Sequence, residues 1–430
     1  MKSVLLSAFV VLVAASVIAA PARRPRTVPK DEDTPATVKV TEDMSAVARG
    51  GNEFAFDLYA KVAAGGKGNA FLSPTSLHTA LAVTHAGAGG STADQMAKTL
   101  HCTLATPKLA PAFGDLLKAL NTPNRTYDKR PAYELVVANA LWPQKKYALK
   151  ADFTASARTH YGAEVQPLDY SKPDPARATI NEWAESKTAD RIKDLIPAGL
   201  LKAQTRLVLT NAIYFKSNWA HAFEKSDTKD RPFQLGAGKS AKVPTMYQED
   251  TFAYAETEDF QAMELPYLFG DLSMFVFLPK KADGLGELEK MLSGKVVQEW
   301  VRRLQRERVQ VLLPRFRFTS QFLLARALAE MGMTDAFSDT NADFSGMTSA
   351  EGLFLAEVIH KAYIDVHEKG AEAAAATAIM AVAPNGHDPA SRPKPKLFNA
   401  DRPFFFLIRH NATESILFVG RVTDPRDSNP

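Results

Sequence analysis

Few residues of this sequence stand where they could do covalent chemistry. No Gly-x-Ser-x-Gly elbow is present, so nothing marks a hydrolase of that type. The run Gly87-Ala88-Gly89-Gly90-Ser91-Thr92 has the outline of a phosphate-cradling loop but lacks the lysine that contacts phosphate, and a tight turn between two helices accounts for it. Glu357-x-x-His360, with His367 further on, offers metal-capable side chains. On a strand, however, two histidines seven positions apart point to opposite faces, and no second ligand pair lies nearby. Asn124-Arg125-Thr126 and Asn411-Ala412-Thr413 match the short glycosylation acceptor pattern. The lone cysteine, Cys102, excludes an intramolecular disulfide and any multi-cysteine metal centre. No catalytic constellation emerges, and the reading is of a non-enzyme with no cofactor and no metal.

The unusual chemistry lies in the backbone of residues 368–383, Glu-Lys-Gly-Ala-Glu followed by a run of alanines, Thr377, Ile379 and Met380. Propensity alone makes this an alanine-rich helix. Its neighbours argue otherwise, because it follows a β-branched stretch ending Ile364-Asp365-Val366 and precedes a polar, proline-rich stretch from Pro384 to Pro395. With a period of two, Ala371, Ala373, Ala375, Thr377, Ile379, Ala381 and Ala383 share one small or apolar face, and Glu372 lies on the other. Such a segment can enter a crowded sheet as a new strand, gaining backbone hydrogen bonds from both neighbours. A loop that later becomes a strand stores free energy.

The rest of the chain must hold that segment in place. A hydrophobic fraction of 46% and a charged fraction of 23% over 430 residues suit a protein with a full core. The 52 Lys and Arg against 48 Asp and Glu leave +4 without a dense basic block, which argues against a nucleic-acid partner. Lys2 and an apolar run to Ala20, ending in small residues, form a secretory signal peptide over residues 1–22, so the protein is expected to be secreted, extracellular or periplasmic, with no membrane attachment after cleavage. Residues 23–48, rich in proline and charge, are expected to be flexible. Residues 49–430 form a single α+β domain, since no linker long enough to divide them follows residue 50. Helical spacing and caps predict helices over 52–64, 74–86, 150–162 and 176–196, and one opened at Ser91-Thr92-Ala93-Asp94 by a capping box. Strands are predicted over 133–142, 206–215, 272–278, 309–318 and 353–366.

Several motifs in order then resemble the serpin family of serine protease inhibitors. They are Asn69-Ala70-Phe71-Leu72-Ser73-Pro74-Thr75-Ser76, Thr210-Asn211-Ala212-Ile213-Tyr214-Phe215-Lys216-Ser217-Asn218-Trp219, Leu312-Leu313-Pro314-Arg315-Phe316, His360-Lys361-Ala362, Glu368-Lys369-Gly370 through Thr377, Arg402-Pro403-Phe404 and Phe418-Val419-Gly420-Arg421. The match runs from about residue 52 to Pro425, in the form of a secreted, prokaryotic-type member. The resemblance implies three β-sheets, about nine helices and an exposed reactive loop, in a protein acting as a monomer on a target serine protease. In the family the protease cuts the loop, forms an acyl-enzyme, and is trapped when the cut loop inserts into the main sheet.

Carried over residue by residue, Ser73, Ser76, Asn211 and His360 match the family's shutter, the polar cluster beneath the sheet that parts on insertion. Trp219, Arg315 and Glu368 match its breach, where the loop enters, with an Arg315–Glu368 pair implied, bidentate if geometry permits. Glu368, Gly370, Ala371, Glu372, Ala373, Ala374, Ala375, Ala376 and Thr377 match the hinge. Ala371 stands where threonine or serine is commoner, and Ser217 replaces a usual glycine. Family spacing puts the residue before the scissile bond at Pro384, sixteen beyond Glu368; because proline is a poor recognition residue, Val382-Ala383 and Asn385-Gly386 are also candidates. Small aliphatics nearby favour an elastase-like or subtilisin-like target, and a cysteine protease stays open. The rival reading is a non-inhibitory serpin acting as a binding or chaperone module. Its hinge would normally carry bulky, charged or proline residues that hinder insertion.

Overall fold

A nine-stranded sheet, a six-stranded sheet and nine α-helices dominate the residues described by the computed structural model, which are 39–123, 126–127, 130–236, 238–371 and 394–426. The expected signal peptide over residues 1–22, residues 23–38, the hinge from Glu372 to Thr377 and the scissile candidates Val382, Ala383, Pro384 and Asn385 lie outside them. The flexible stretch expected to reach residue 48 is corrected from residue 42 on. There the helix Glu42–Ala64 begins, Thr41 accepts the Met44 amide as N-cap, and Glu42 and Asp43 sit at the positive end of the helix dipole. Met44, Ala46, Val47 and Ala48 are buried on it, which binds this turn to the core.

The six-stranded sheet positions the candidate site. Its order is Phe316–Leu323, Leu355–His367, Gly370–Ala371, Leu207–Asn218, Tyr133–Pro143 and Glu164–Val165. The inner face packs onto the main core through Leu209, Ile213, Phe215, Val358, Ala362, Ile364 and Val366. Ala140, Trp142, Val208, Ala212 and Ile359 line the outer face, where Ile180 and Trp183 of the helix Pro173–Lys187 and Ile192, Leu195 and Ile196 beyond it pack. Cover on both sides explains why residues 207–215 are buried without interruption.

The predicted strand over 309–318 is two strands in different sheets. Gln305–Pro314 ends at a proline, which has no amide to carry the ladder on, and Phe316–Leu323 starts afresh in the six-stranded sheet. The helix predicted over 176–196 stops at Lys187, since Ala189 and Asp190 take left-handed backbone (φ 48° and 59°) and the Thr188 hydroxyl accepts the Ile192 amide. The capping box at Ser91 does not form. The helix Gly90–Thr99 has Gly89 as N-cap, and the Ser91 hydroxyl instead donates to Asp335 at 2.6 Å. Of the three sheets implied, two large ones are described, alongside a two-residue ladder of Thr126–Tyr127 with Arg130–Pro131. The 18-residue strand Lys239–Glu256 pairs with Gln305–Pro314 and with Phe260–Pro266, so it fuses what would otherwise be separate sheets. No helix among the described residues is long and apolar enough to cross a membrane.

Candidate functional site

The site is a seam between two parallel strands. Leu355–His367 and Leu207–Asn218 pair directly from Leu355↔Leu207 to Ala362↔Ile213. Above that rung they part, and Gly370–Ala371 lies between them, antiparallel to both, with Ala371 opposite Ser217 on one side and Val366 on the other. Ala371 is 2% exposed and belongs to the inner core. Gly370 has a φ of 149°, and a Cβ there would lie 2.1 Å from the Ser217 carbonyl oxygen, so only glycine fits.

Beneath the closed part of the seam the four shutter residues come together, all at 0% exposure. Ser73 and Ser76 arrive on the start of the helix Pro74–His85, where Ser73 is the N-cap. Asn211 and His360 face each other across the parallel ladder. The Ser73 amide donates to His360 Nε2 at 3.0 Å, and His360 Nδ1 lies 2.6 Å from Asn211 Oδ1. Because Nε2 must accept, the proton sits on Nδ1 and is donated to Asn211. The Asn211 amide donates to the hydroxyl of Ser76 and to Asn139 Oδ1, and the Ser73 hydroxyl donates to the Leu417 carbonyl at 2.7 Å. Burial lowers the His360 pKa to about 3, partly offset by its bond to Asn211. A second ring proton would point at the Ser73 amide, donor against donor. The shutter is therefore a neutral network with one allowed tautomer.

The breach at the top of the seam is built differently. Trp219, 2% exposed, stacks on Tyr267 at 4.5 Å and donates its indole N–H to the His367 carbonyl at 3.0 Å. Backbone bonds from Trp219 to Lys369 (2.8 Å) and from Phe223 to Glu368 (2.9 Å) clamp the turn that leads into Gly370. The Arg315–Glu368 pair implied above is present as a contact of 3.7 Å, too long for a bidentate arrangement. The Thr228 hydroxyl already donates to the same carboxylate oxygen at 2.8 Å, and the Arg315 side chain is 44% exposed, free to stay in water.

Glu357, His360 and His367 serve three separate places. The Glu357 carboxylate accepts from the Ala325 amide at the start of the helix Ala325–Glu330 and from the Val358 amide of its own strand, and burial raises its pKa. The Asn411 amide donates to Gly270 and Ser273 and is thereby engaged within the fold. Three site residues escape the sequence reading. Asn139 carries a signal, an asparagine within the apolar run 135–142 that ends up opposite Asn211. Thr228 and Tyr267 sit in loops whose local sequence gives no sign of their role.

A profile described as Serpin (serine protease inhibitor) matches residues 49–425. A leukocyte elastase inhibitor of Xenopus laevis is 40% identical over 382 residues, covering 86% of this chain and 97% of its own. An uncharacterized serpin-like protein of Thermococcus kodakarensis is 40% identical, covering 87% of this chain and 85% of its own. Among solved structures, Serpin48, titled a highly specific serpin in the insect Tenebrio molitor, superposes with a TM-score of 0.78 at 31% identity, over 90% of this chain and all of that one.

Proposed function

The chain belongs to the serpin family, and from that premise we propose that it is a single-use inhibitor of serine endopeptidases, working by loop cleavage and insertion. One observation carries the reading. Gly370–Ala371 already occupies the top of the seam, antiparallel to two strands that are otherwise parallel to each other. Extending that register downward sets Ala373 opposite Phe215 and Ile364, Ala375 opposite Ile213 and Ala362, and Thr377 opposite Asn211 and His360. Every one of these partners lies on the inner face, so the small odd-numbered residues turn inward and Glu372 turns out.

Insertion exchanges one parallel ladder for two antiparallel ones, which adds backbone hydrogen bonds. It also widens the Asn211–His360 gap by one strand spacing, roughly 4.8 Å, so their direct bond must break. Thr377 arrives at that level with a hydroxyl able to accept from His360 Nδ1–H and donate to Asn211 Oδ1.

In the reaction the serine hydroxyl of the target protease adds to the scissile carbonyl. An ester forms, the peptide C–N bond breaks, and the new amine stays on the C-terminal fragment. Insertion then carries the ester away before water can cleave it. Small aliphatic residues around Val382 and Ala383, together with a relative named for elastase inhibition, favour an elastase-like or subtilisin-like target. We further propose that the mature protein is exported and acts as a monomer.

The test is a protease panel, including elastase and subtilisin, read on denaturing gels. A complex that survives boiling in detergent is expected, because the trapped bond is covalent. A cut after Pro384 leaves a fragment of 46 residues, to be released only on denaturation because its strands Phe404–His410 and Ile416–Val422 are core. Cleaved protein without complex across the panel would overturn the inhibitory reading in favour of a binding module.

A further inference from the structure

Ser217 lies opposite Ala371, the lower of the two residues, with Gly370, that already lie between the parted strands. Its side chain is buried (4%) and points inward between Ala371 on one side and Tyr133 on the other. The hydroxyl donates to the Ala132 carbonyl at 3.2 Å, with the Asn218 carbonyl at the edge of range, 3.5 Å. Ala132 lies one residue before the strand Tyr133–Pro143, just past that strand's last rung with Ser217. The bond adds a side-chain tie between the ends of the two paired strands. Tyr133 is itself fixed, its hydroxyl donating to the Leu120 carbonyl at 2.7 Å.

What is fastened is the surface on which the hinge rests. A Cβ on Gly370 would lie 2.1 Å from the Ser217 carbonyl oxygen and 2.7 Å from Asn218 Cα, so Gly370 packs directly on the backbone of residues 217 and 218. A shift of a few tenths of an ångström there alters the first rung. We propose that Ser217 is a positioning residue for loop insertion, its hydroxyl holding the 217–218 backbone so that Gly370 and Ala371 stay docked as a ready-made nucleus. This rests on the insertion reading for its consequence but not for the docking itself. With the nucleus preformed, insertion continues from Ala371 as soon as the loop is cut. Without it, the first rung must form after cleavage while deacylation proceeds.

The experiment compares Ser217→Ala, which removes only the hydroxyl, with Ser217→Thr, which keeps it on a side chain suited to a strand. Hydrogen exchange of the intact protein is followed on peptides spanning Glu368 to Ala371. Exchange several-fold faster in Ser217→Ala, with Ser217→Thr like the wild type and peptides from the lower part of the seam unchanged, is expected. Equal exchange at 368–371 in all three proteins would overturn the proposal, and this readout needs no protease. With a protease that the wild type traps, Ser217→Ala should raise the stoichiometry of inhibition two- to fivefold while leaving the association rate constant unchanged, and Ser217→Thr should restore it. An unchanged stoichiometry in Ser217→Ala would overturn the consequence for insertion. Failure of the wild type to trap any protease would instead count against the inhibitory reading and leave the exchange result to decide the role of Ser217.

Discussion

The shutter and the breach are the two ends of one seam, and they are held shut by different physics. At the shutter, Ser73, Ser76, Asn211 and His360 are fully buried and bind one another through neutral hydrogen bonds of fixed direction. At the breach, the only ion pair between the candidate residues is a 3.7 Å contact to a half-exposed arginine, and backbone bonds around Trp219 do most of the holding. A buried neutral network opens only at the cost of leaving donors and acceptors without partners, whereas a solvated ion pair loses little when it parts. The difference explains why the docked rung lies at the breach and the direct pairing of the two strands persists at the shutter.

The largest expected effect comes from blocking the path between them. On the extended register Ala371 and Ala373 face inward, so Ala371→Arg or Ala373→Arg must bury a guanidinium with no partner, at an effective cost of several kcal/mol. Stoichiometry of inhibition should rise about tenfold or more, turning inhibitor into substrate. Glu372→Arg changes charge as much but faces outward, opposite Lys216 and Asp365 on the same register, and should retain most inhibition. Equal sensitivity at 371, 372 and 373 would refute the alternation.

Next comes the shutter itself. His360→Ala leaves the Ser73 amide and Asn211 Oδ1 without partners and opens a cavity, a loss of roughly 2–4 kcal/mol. Denaturant unfolding should show it, together with loop-inserted monomers or polymers at modest heating. An unaltered unfolding midpoint would remove His360 from the role assigned to it.

Acid offers a graded version of the same attack. Burial lowers the pKa of His360 to about 3 and those of His78 and His410 to about 4. The unfolded chain, with histidines near 6.5, binds more protons than the fold below that pH. Stability is therefore full above about pH 6.5 and falls as pH drops toward the folded values, by up to about 1.4 kcal/mol per unit for each histidine. His360→Gln should reduce the slope between pH 6 and 4 by one proton; an unchanged slope would mean that His360 is not held neutral. The smallest effect is expected at the breach, where Arg315→Ala should cost less than about 1 kcal/mol, and less still in high salt. A loss comparable to that of His360→Ala would erase the contrast between the two ends.

The motif resemblance named Ser73, Ser76, Asn211 and His360, which the structure brings into one cluster, but it did not reveal how they bond. Asn139 was legible in principle, as a polar residue within an apolar strand, yet its partner Asn211 lies 72 positions away. Thr228 blocks a bidentate Arg315–Glu368 pair from a loop 140 residues distant in sequence from Glu368, and nothing local announces it. The departure at Ser217 was visible as a letter, but its meaning depends on Ala132, reached only when the strands pair. Local errors had local causes, such as the proline at 314 that splits one predicted strand into two and the left-handed residues after Thr188 that end a helix early.

Period and composition by themselves settled what depends on neighbours along the chain: the apolar strands over 133–142, 206–215 and 272–278. Those properties follow from side-chain alternation and from residue chemistry, which are written locally. The direct pairing of His360 with Asn211, the tautomer it imposes, and the docking of Ala371 between Val366 and Ser217 were decided only by the tertiary structure. Each of them joins strands far apart in sequence, and the register of such strands is chosen by which faces the surrounding core can bury.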